Sequence, residues 1–197
     1  MVNTAILPPR DDGFMRKKWS VKECRFLTES GLLTPGKSEL IEGEIVFKMG
    51  QGRLHIYVIT QLIAALSTIF GMEAIQNQAQ IGIGEIDEFN DPEPDVAVLQ
   101  GTLHDYLNRE PDPATEVLLL AEASNTTLKG DTTTKAHLYA RYGLPEYWVV
   151  AIPNRTLIVH RQPTTDGYAD VQTFDDSAAV APLAAPNSPV RVADLLP

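Results

Sequence analysis

Apolar residues recur at helical spacing in three stretches of the chain, roughly 20–30, 54–70 and 132–142. A Ser-x-x-Glu capping box begins the first stretch, and Asp131 is placed to cap the N-terminus of the third. A glycine follows directly after each stretch, where it can end a helix. The pattern therefore predicts three helices, of which the second presents one long apolar face.

Shorter runs of alternating or continuous apolar residues predict strands between these helices. The predicted strands are Glu39–Phe47, Gln76–Ile83, Asp95–Leu99, Glu116–Glu122, Glu146–Ile152 and Thr156–Arg161. An acidic turn is predicted over 84–90 and a surface connection over 100–115. The order of helices and strands predicts an α/β fold with a mixed central β-sheet flanked by helices.

A chain of 197 residues suits one domain with modest extensions. Residues 1–17 contain paired prolines and an Asp-Asp-Gly turn, and predict a loose N-terminal arm. Residues 18–175 would form the domain. Residues 176–197, rich in Ala, Pro and Ser at their start, would form a C-terminal loop and a short final segment.

The composition, with 44% hydrophobic and 21% charged residues, is that of a globular protein. The sequence predicts neither a membrane segment nor a secretory signal. Its single cysteine, Cys24, cannot form an internal disulfide and is typical of a reducing compartment, so we expect a cytoplasmic protein. The net charge of −10 argues against a long groove that follows nucleic-acid phosphates, because such grooves carry Lys and Arg.

Two carboxylates and a lysine stand at the ends of predicted elements. Asp95 begins one strand and Glu122 ends the next, so the two could meet at one edge of the sheet. A carboxylate at the end of an apolar strand is costly unless it meets a cation, a metal or water. Lys135 lies in the first turn of the following helix, from where its amine can reach back. The three are either an acidic site of the kind that Mg²⁺ prefers, or solvated acids and a lysine lying along its helix.

Three motifs together resemble those of the Uma2 family, also called DUF820. They are Pro94-Asp95-Val-Ala-Val, Leu-Leu-Leu-Ala-Glu122-Ala-Ser124, and Asp131-x-x-x-Lys135-x-x-x-Tyr139 followed by Gly143-Leu-Pro-Glu-Tyr-Trp148. The resemblance extends from about Trp19 to about Arg161. This family, abundant in cyanobacteria, is similar to restriction endonucleases and looks like a branch of the PD-(D/E)XK nuclease superfamily.

The resemblance implies a restriction-endonuclease-like fold and a metal-dependent endonuclease that hydrolyses phosphodiester bonds in DNA. Asp95 would take the place of the Asp in the Pro-Asp motif, and Glu122 that of the acidic residue in (D/E)XK. Both would bind Mg²⁺ or Mn²⁺, with the carbonyl of Ala123 as a third ligand. Because Ser124 stands where that motif carries lysine, Lys135 would supply the amine that positions the attacking water.

The same resemblance adds two residues further upstream. Glu39 corresponds to the family's upstream acidic position, and would assist a second ion or the attacking water. His55 corresponds to the histidine that opens the second helix, and would support the site. In the predicted strand Glu39 falls on the same face as the apolar residues, and in the predicted second helix His55 does so too. Each is equally explained without catalysis, Glu39 as a strand-end acid and His55 as a hydrogen-bonded histidine at the edge of the core.

A second interpretation gives the same fold no catalytic role. The chain would then be a non-catalytic binding or assembly module, dimerising through Tyr147–Ile152. The complete set of Asp, Glu and Lys favours catalysis, whereas the net charge of −10 favours the module. If the protein is a nuclease, we expect DNA as its partner and a homodimer, because both strands of a duplex must be cut. A partner, a dimer groove or the metal itself would bring the DNA to the acidic surface.

Overall fold

The computed structural model describes residues 14–48, 50 and 52–197, and the backbone of Ile6–Leu7. In chain order its strands are β1 (Ile6–Leu7), β2 (Arg16–Lys17), β3 (Ser38–Ile41), β4 (Glu44–Phe47), β5 (Ile75–Asn77), β6 (Val96–Leu99), β7 (Val117–Ser124), β8 (Glu146–Ala151), β9 (Thr156–Thr164), β10 (Gly167–Asp175), β11 (Ala179–Val180) and β12 (Val190–Arg191). Its α-helices are α1 (Val21–Glu29), α2 (Arg53–Phe70), α3 (Ile83–Ile86), α4 (Leu128–Gly130), α5 (Ala136–Arg141) and α6 (Val192–Leu195). A π-helical segment, Asp131–Lys135, joins α4 to α5.

The described residues divide into two compact units. The first unit comes from the described parts of residues 1–50 and from Gln80–Glu93, and the second from the described parts of residues 51–79 and from Pro94–Pro197. In the second unit, a six-stranded sheet has the order β10-β9-β8-β7-β6-β5. β7 and β8 are parallel and the other neighbouring pairs are antiparallel. This mixed sheet with its helices confirms the predicted α/β fold.

The apolar face of α2 forms one side of the core of the second unit. Val58, Leu62 and Leu66 have 0% exposure and belong to one cluster with Val98 of β6 and Trp148 of β8. Burying a side chain of this size contributes about 1.5–3 kcal/mol relative to leaving it in water. The spacing that predicts the helix therefore also determines which side of it faces the sheet.

Among the residues that the structure describes, α2 is also the one helix long and apolar enough to cross a membrane, with a mean hydropathy of 1.4 over 18 residues. Length and composition alone are weak evidence, because the core helix of a water-soluble protein meets the same criterion. The expectation of a protein without a membrane segment stays a prediction.

The prediction of one strand over Glu39–Phe47 is wrong, because the first unit folds this segment into a hairpin. β3 and β4 pair antiparallel around a two-residue turn at Glu42 and Gly43. Their φ angles of 52° and 82° are both left-handed, as the twist of a two-residue hairpin requires. The turn reverses the alternation, so that Phe47 is exposed and does not share a buried face with Ile41.

Other predictions differ from the structure at their boundaries. The strand predicted over Gln76–Ile83 is limited to β5, since Gln78 has a φ of 49° and α3 begins at Ile83. β10 was not predicted, because polar residues interrupt its alternation; it pairs with β9 at the edge of the sheet. Much of the predicted arm, residues 1–5 and 8–13, lies outside the described residues. The boundaries of arm, domain and C-terminal segment stay predictions.

A buried ion pair joins the sheet to the C-terminal segment. Glu146, at the beginning of β8, has 0% exposure. Its Oε1 accepts hydrogen bonds from Nε and Nη2 of Arg161 at 2.9 and 2.6 Å, and from Nε1 of Trp148 at 2.9 Å. Its Oε2 accepts a hydrogen bond from the amide of Leu183 at 2.7 Å. Because both carboxylate oxygens are hydrogen-bonded, the charge is tolerated inside a buried strand.

The dimer surface suggested at Tyr147–Ile152 is wrong. β8 lies between β7 and β9 and is hydrogen-bonded to both, so it offers no free backbone edge. The side chains of Tyr147, Trp148 and Val149 have 0% exposure. A partner could reach this strand only if the sheet unfolded.

Candidate active site

Asp95 lies directly before β6 and is buried, with 8% exposure. Its Oδ2 accepts a hydrogen bond from the amide of Ala123 at 2.9 Å, which ties the beginning of β6 to the end of β7. The carboxyl group of Glu122 lies beside that of Asp95. Burial raises the pKa of Asp95, but the hydrogen bond and the charge of His55, together with the hydrogen bond from the amide of Ala123, outweigh this effect and leave the pKa below its ordinary value. Asp95 is therefore ionised at neutral pH although it is buried.

Glu122, on β7, is paired with Lys135. The Nζ of Lys135 donates a hydrogen bond to Oε1 of Glu122 at 2.8 Å, and the hydroxyl of Tyr139 lies 3.4 Å from the same oxygen. The side chains of Glu122 and Lys135 are only 6% and 12% exposed. Lys135 and Tyr139 are four residues apart and thus share a helix face. The structure brings Asp95, Glu122 and Lys135 together at one end of the sheet, largely away from water.

His55, in the first turns of α2, contacts Asp95. Its Nε2 lies 3.4 Å from Oδ1 of Asp95, and its ring also hydrogen-bonds to the backbone of Ala123. The hydrogen bond to Asp95 is the main cause that raises the pKa of His55, while burial opposes it. His55 therefore joins the group around Asp95. The family resemblance implies that His55 supports the site, and this role stays a prediction.

Glu39 belongs to the first unit, on β3. Its Oε2 accepts a hydrogen bond from the amide of Glu93 at 3.2 Å. The carboxylate of Glu93 in turn accepts hydrogen bonds from Nζ of Lys48 at 2.5 Å and from Nε2 of Gln80 at 2.9 Å. These local contacts account for a partly buried acid on this strand. A part for Glu39 in catalysis rests on the family resemblance alone.

Asp131 is a further buried carboxylate close to these residues, with 5% exposure. The prediction that it caps a helix N-terminus is wrong, because the helical run already begins at Leu128. Its Oδ2 accepts hydrogen bonds from Oγ of Ser124 at 2.5 Å and from Oγ1 of Thr127 at 2.6 Å. One signal in the sequence could have identified Asp131. Two residues with hydroxyl side chains, Ser124 and Thr127, precede it, and the candidate lysine, Lys135, follows four residues later.

A row of aromatic side chains packs behind Tyr139. Tyr139 meets Tyr147 edge-on with ring centroids 5.0 Å apart, Tyr147 lies 5.2 Å from His160, and His160 lies 5.5 Å from Tyr168. Burial lowers the pKa of His160 below its ordinary value. The imidazole is therefore neutral at neutral pH, and its Nδ1, 3.3 Å from the carbonyl of Tyr147, is the nitrogen that donates.

The lowered pKa of His160 makes its contribution to stability depend on pH. The unfolded chain takes up the proton at the ordinary pKa of about 6.5, whereas the folded chain does so only at lower pH. The contribution is complete above about pH 6.5 and is lost as the pH falls through the folded pKa. We expect His160→Gln to flatten the dependence of the unfolding free energy on pH between about pH 7 and 5 in urea titrations. An unchanged slope in His160→Gln would contradict the prediction.

The oxygen atoms at this end of the sheet suit a hard divalent cation. Asp95 and Glu122 supply two neighbouring carboxyl groups, and Ala123, whose backbone His55 also contacts, supplies a carbonyl. Within the described part of the chain, no group of three or more His, Cys, Asp or Glu side chains could hold a metal ion. Mg²⁺ in proteins is commonly bound by one or two carboxylates, with water and phosphate oxygens completing its shell. The donor set thus fits a cation whose remaining ligands are water or other oxygen donors.

Comparison with known proteins identifies a family and a solved structure to which the chain is similar. The Uma2 family model, described as "Putative restriction endonuclease", matches residues 29–191. The fold is similar to the crystal structure of "a putative nuclease belonging to DUF820" from Anabaena variabilis ATCC 29413. That match has a TM-score of 0.61 and 19% identity, and covers 86% of this chain and 96% of that chain. At this identity the likeness shows the fold alone. No curated protein matches the chain.

Proposed function

Because the chain belongs to the Uma2 family, we propose that it is a metal-dependent endonuclease that hydrolyses phosphodiester bonds in DNA. The family description supports a nuclease of the restriction-endonuclease type. The observation that carries the proposal to particular residues is the contact between the buried carboxylates of Asp95 and Glu122, with Lys135 bonded to the second. Gathering two carboxyl groups and a lysine in a buried place costs folding free energy, and such groups concentrate at functional sites.

Asp95 and Glu122 would bind Mg²⁺ or Mn²⁺, with the carbonyl of Ala123 as a third protein ligand. A bound cation of this kind lowers the pKa of water and stabilises negative charge on a phosphate. The ammonium of Lys135, held by Glu122, can donate hydrogen bonds to an attacking water molecule or to a phosphate oxygen on which charge develops. Lys135 would therefore orient the nucleophile.

Two other residues complete the proposal. His55 contacts Asp95 and the backbone of Ala123, and it would keep both in the orientation that a cation needs. Glu39 would assist the water or a second ion, as the family resemblance implies. The net charge of −10 provides no general attraction to DNA phosphates, so binding of the substrate would depend on the divalent cation.

The proposal is tested with purified full-length protein and supercoiled plasmid DNA in Mg²⁺ or Mn²⁺. The wild type should nick the plasmid, EDTA should stop it, and Asp95→Ala should lose both cleavage and Mn²⁺ binding measured by calorimetry. Equal cleavage by the wild type and Asp95→Ala would assign the activity to a contaminating nuclease. A wild type that neither cleaves nor binds Mn²⁺ would favour the non-catalytic binding or assembly module, which the net charge of −10 already supports.

A homodimer is the second part of the proposal, because two sites are needed to cut both strands of a duplex. α2 carries the exposed side chains Leu54, Ile56 and Tyr57, which are 50%, 49% and 42% accessible to solvent. No Asp, Glu, Lys or Arg occurs over residues 54–70. Two copies of a chain with net charge −10 repel each other, and an uncharged helix surface is where this repulsion is weakest. The exposed side of α2 would therefore meet the same side of a second copy.

If the exposed side of α2 is the dimer contact, a charged substitution there should reduce the mass of the protein in solution from that of a dimer to that of a monomer. Tyr57→Glu should convert the dimer to a monomer, because it places two like charges across a symmetric contact. Size-exclusion chromatography with light scattering measures the mass. Val171→Glu, which adds the same charge at a 52% exposed position on β10, should remain a dimer. A monomeric wild type would contradict this part of the proposal.

A further inference from the structure

The segment that presents Lys135 to Glu122 has an unusual helical geometry. Asp131–Lys135 is π-helical, and the amide of Ala136 donates to the carbonyl of Asp131, five residues earlier. π-helical turns are rare because they pack and hydrogen-bond less well than α-helical ones, and they occur frequently at functional sites. A turn of this kind persists where the surrounding structure holds it.

Asp131 makes the contacts that hold this turn. Its carboxylate accepts from the hydroxyl of Ser124 at the end of β7, and from the hydroxyl of Thr127 directly before α4. Its amide donates a hydrogen bond to the carbonyl of Thr127 at 3.0 Å. Two hydrogen bonds therefore join Asp131 and Thr127, one between their side chains and one between their backbones. Its carbonyl accepts a further hydrogen bond from the hydroxyl of Tyr147 on β8, at 3.2 Å. One residue thus ties the first turn of the π-helical segment to both central strands.

The consequence concerns the direction of Lys135. An extra residue in a helical turn rotates everything after it by about 100° around the helix axis. In the turn as it stands, Lys135 and Tyr139 both point to Oε1 of Glu122. If the turn relaxed to α-helical geometry, either the Asp131 carboxylate would leave the two hydroxyls or the Lys135 amine would leave Glu122.

We propose that Asp131 is a positioning residue, which holds the π-helical turn through Ser124 and Thr127 and thereby aims the Lys135 amine at Glu122. The inference deepens the proposed nuclease function and rests on it where catalysis is concerned. The positioning itself is a property of the folded chain, so it can be measured without any cleavage. The Asp131 carboxylate oxygen accepts hydrogen bonds from two neutral hydroxyl groups. We therefore expect the hydrogen bonds, and not the negative charge of Asp131, to hold the turn.

The first test measures the reactivity of Lys135 towards reductive methylation by mass spectrometry of the full chain. In the wild type this amine should react slowly, since its side chain is 12% exposed and bonded to Glu122. In Asp131→Ala it should react at least about tenfold faster, because loss of the hydrogen bonds from Ser124 and Thr127 releases the turn and removes the Lys135 amine from Glu122. In Asp131→Asn it should stay slow, because the amide oxygen still accepts from both hydroxyls. Lys129, exposed on α4, is the internal control and should react equally in all three proteins.

The second test separates positioning from general loosening. In plasmid cleavage, Asp131→Ala should lower kcat about 100-fold with KM little changed, whereas Asp131→Asn should retain most activity. If Asp131→Ala fails to fold, Thr127→Val and Ser124→Ala each remove one hydrogen bond and take its place.

Slow labelling of Lys135 in Asp131→Ala would overturn the inference, and so would equally fast labelling in Asp131→Asn and Asp131→Ala. Absence of cleavage by the wild type would remove the proposed function but leave the labelling result to decide the positioning role. The two failures are therefore distinguishable.

Discussion

Lys135→Ala is expected to cleave plasmid DNA about 10²–10³ times more slowly than the wild type and, at the same time, to bind Mn²⁺ more tightly. Cleavage slows because a cationic donor aimed at developing negative charge is lost. Binding tightens because the ammonium of Lys135, 2.8 Å from Oε1 of Glu122, repels a divalent cation and occupies an oxygen that would bind it. Single-turnover cleavage and calorimetric titration with Mn²⁺ measure the two effects separately.

Two variants make the result specific. Asp95→Ala should lose both cleavage and Mn²⁺ affinity, because it removes a ligand. Lys129→Ala should change neither, since Lys129 is an exposed lysine on the neighbouring α4. If Lys135→Ala bound Mn²⁺ more weakly than the wild type, the lysine would be part of how the cation is held, and the proposed division of roles would be wrong.

Glu146→Ala is expected to lower the free energy of unfolding by about 3–5 kcal/mol, the usual effect of removing one partner from a buried ion pair. Glu146 has 0% exposure and is the acceptor for Arg161, Trp148 and the amide of Leu183. Its removal leaves the Arg161 guanidinium, whose side chain is 20% exposed, without that carboxylate. Urea denaturation followed by circular dichroism measures the loss.

A second Arg–Glu pair in the same unit provides the matched control. Arg109 and Glu116 bond through two N–H groups at 2.5 and 2.6 Å, but their side chains are 49% and 27% exposed. Water screens that pair, so Glu116→Ala should change stability far less than Glu146→Ala. The double variant Glu146→Ala/Arg161→Ala should recover part of the loss, because no unpaired buried charge remains. Equal losses in Glu146→Ala and Glu116→Ala would show that burial does not decide the strength of these pairs.

Local patterns in the sequence predict much of the fold. The capping box at Ser20 predicts where α1 begins, and the Ser20 side chain does accept from the amide of Glu23. Apolar periodicity predicts α2 and its buried side, and the continuous apolar runs predict the strands β7 and β8. These predictions succeed because capping and burial depend on residues within a few positions of one another.

The predictions that fail depend on backbone geometry or on distant partners. The hairpin of β3 and β4 turns at Glu42, a non-glycine residue with positive φ, so nothing but the following Gly43 marks it. β10 takes its hydrogen bonds from β9 and forms despite a weak alternation of its own. Asp131 is predicted to be an N-cap because the helical turn before it, Leu128–Gly130, is not marked by apolar periodicity, and because Ser124 comes close to its carboxylate only when β7 and the helix are packed.

By itself the sequence determined which chemical groups the candidate site contains: Asp95 and Glu122 at strand ends and Lys135 on the following helix, in motifs that resemble those of one family. Tertiary structure alone decided that Asp95 and Glu122 touch, that His55 reaches Asp95, and that a π-helical turn directs Lys135 to Glu122. The physical reason is that hydrophobic periodicity specifies which side of each element is buried. Contacts between residues far apart in the chain depend on strand register and on the packing of helices against the sheet.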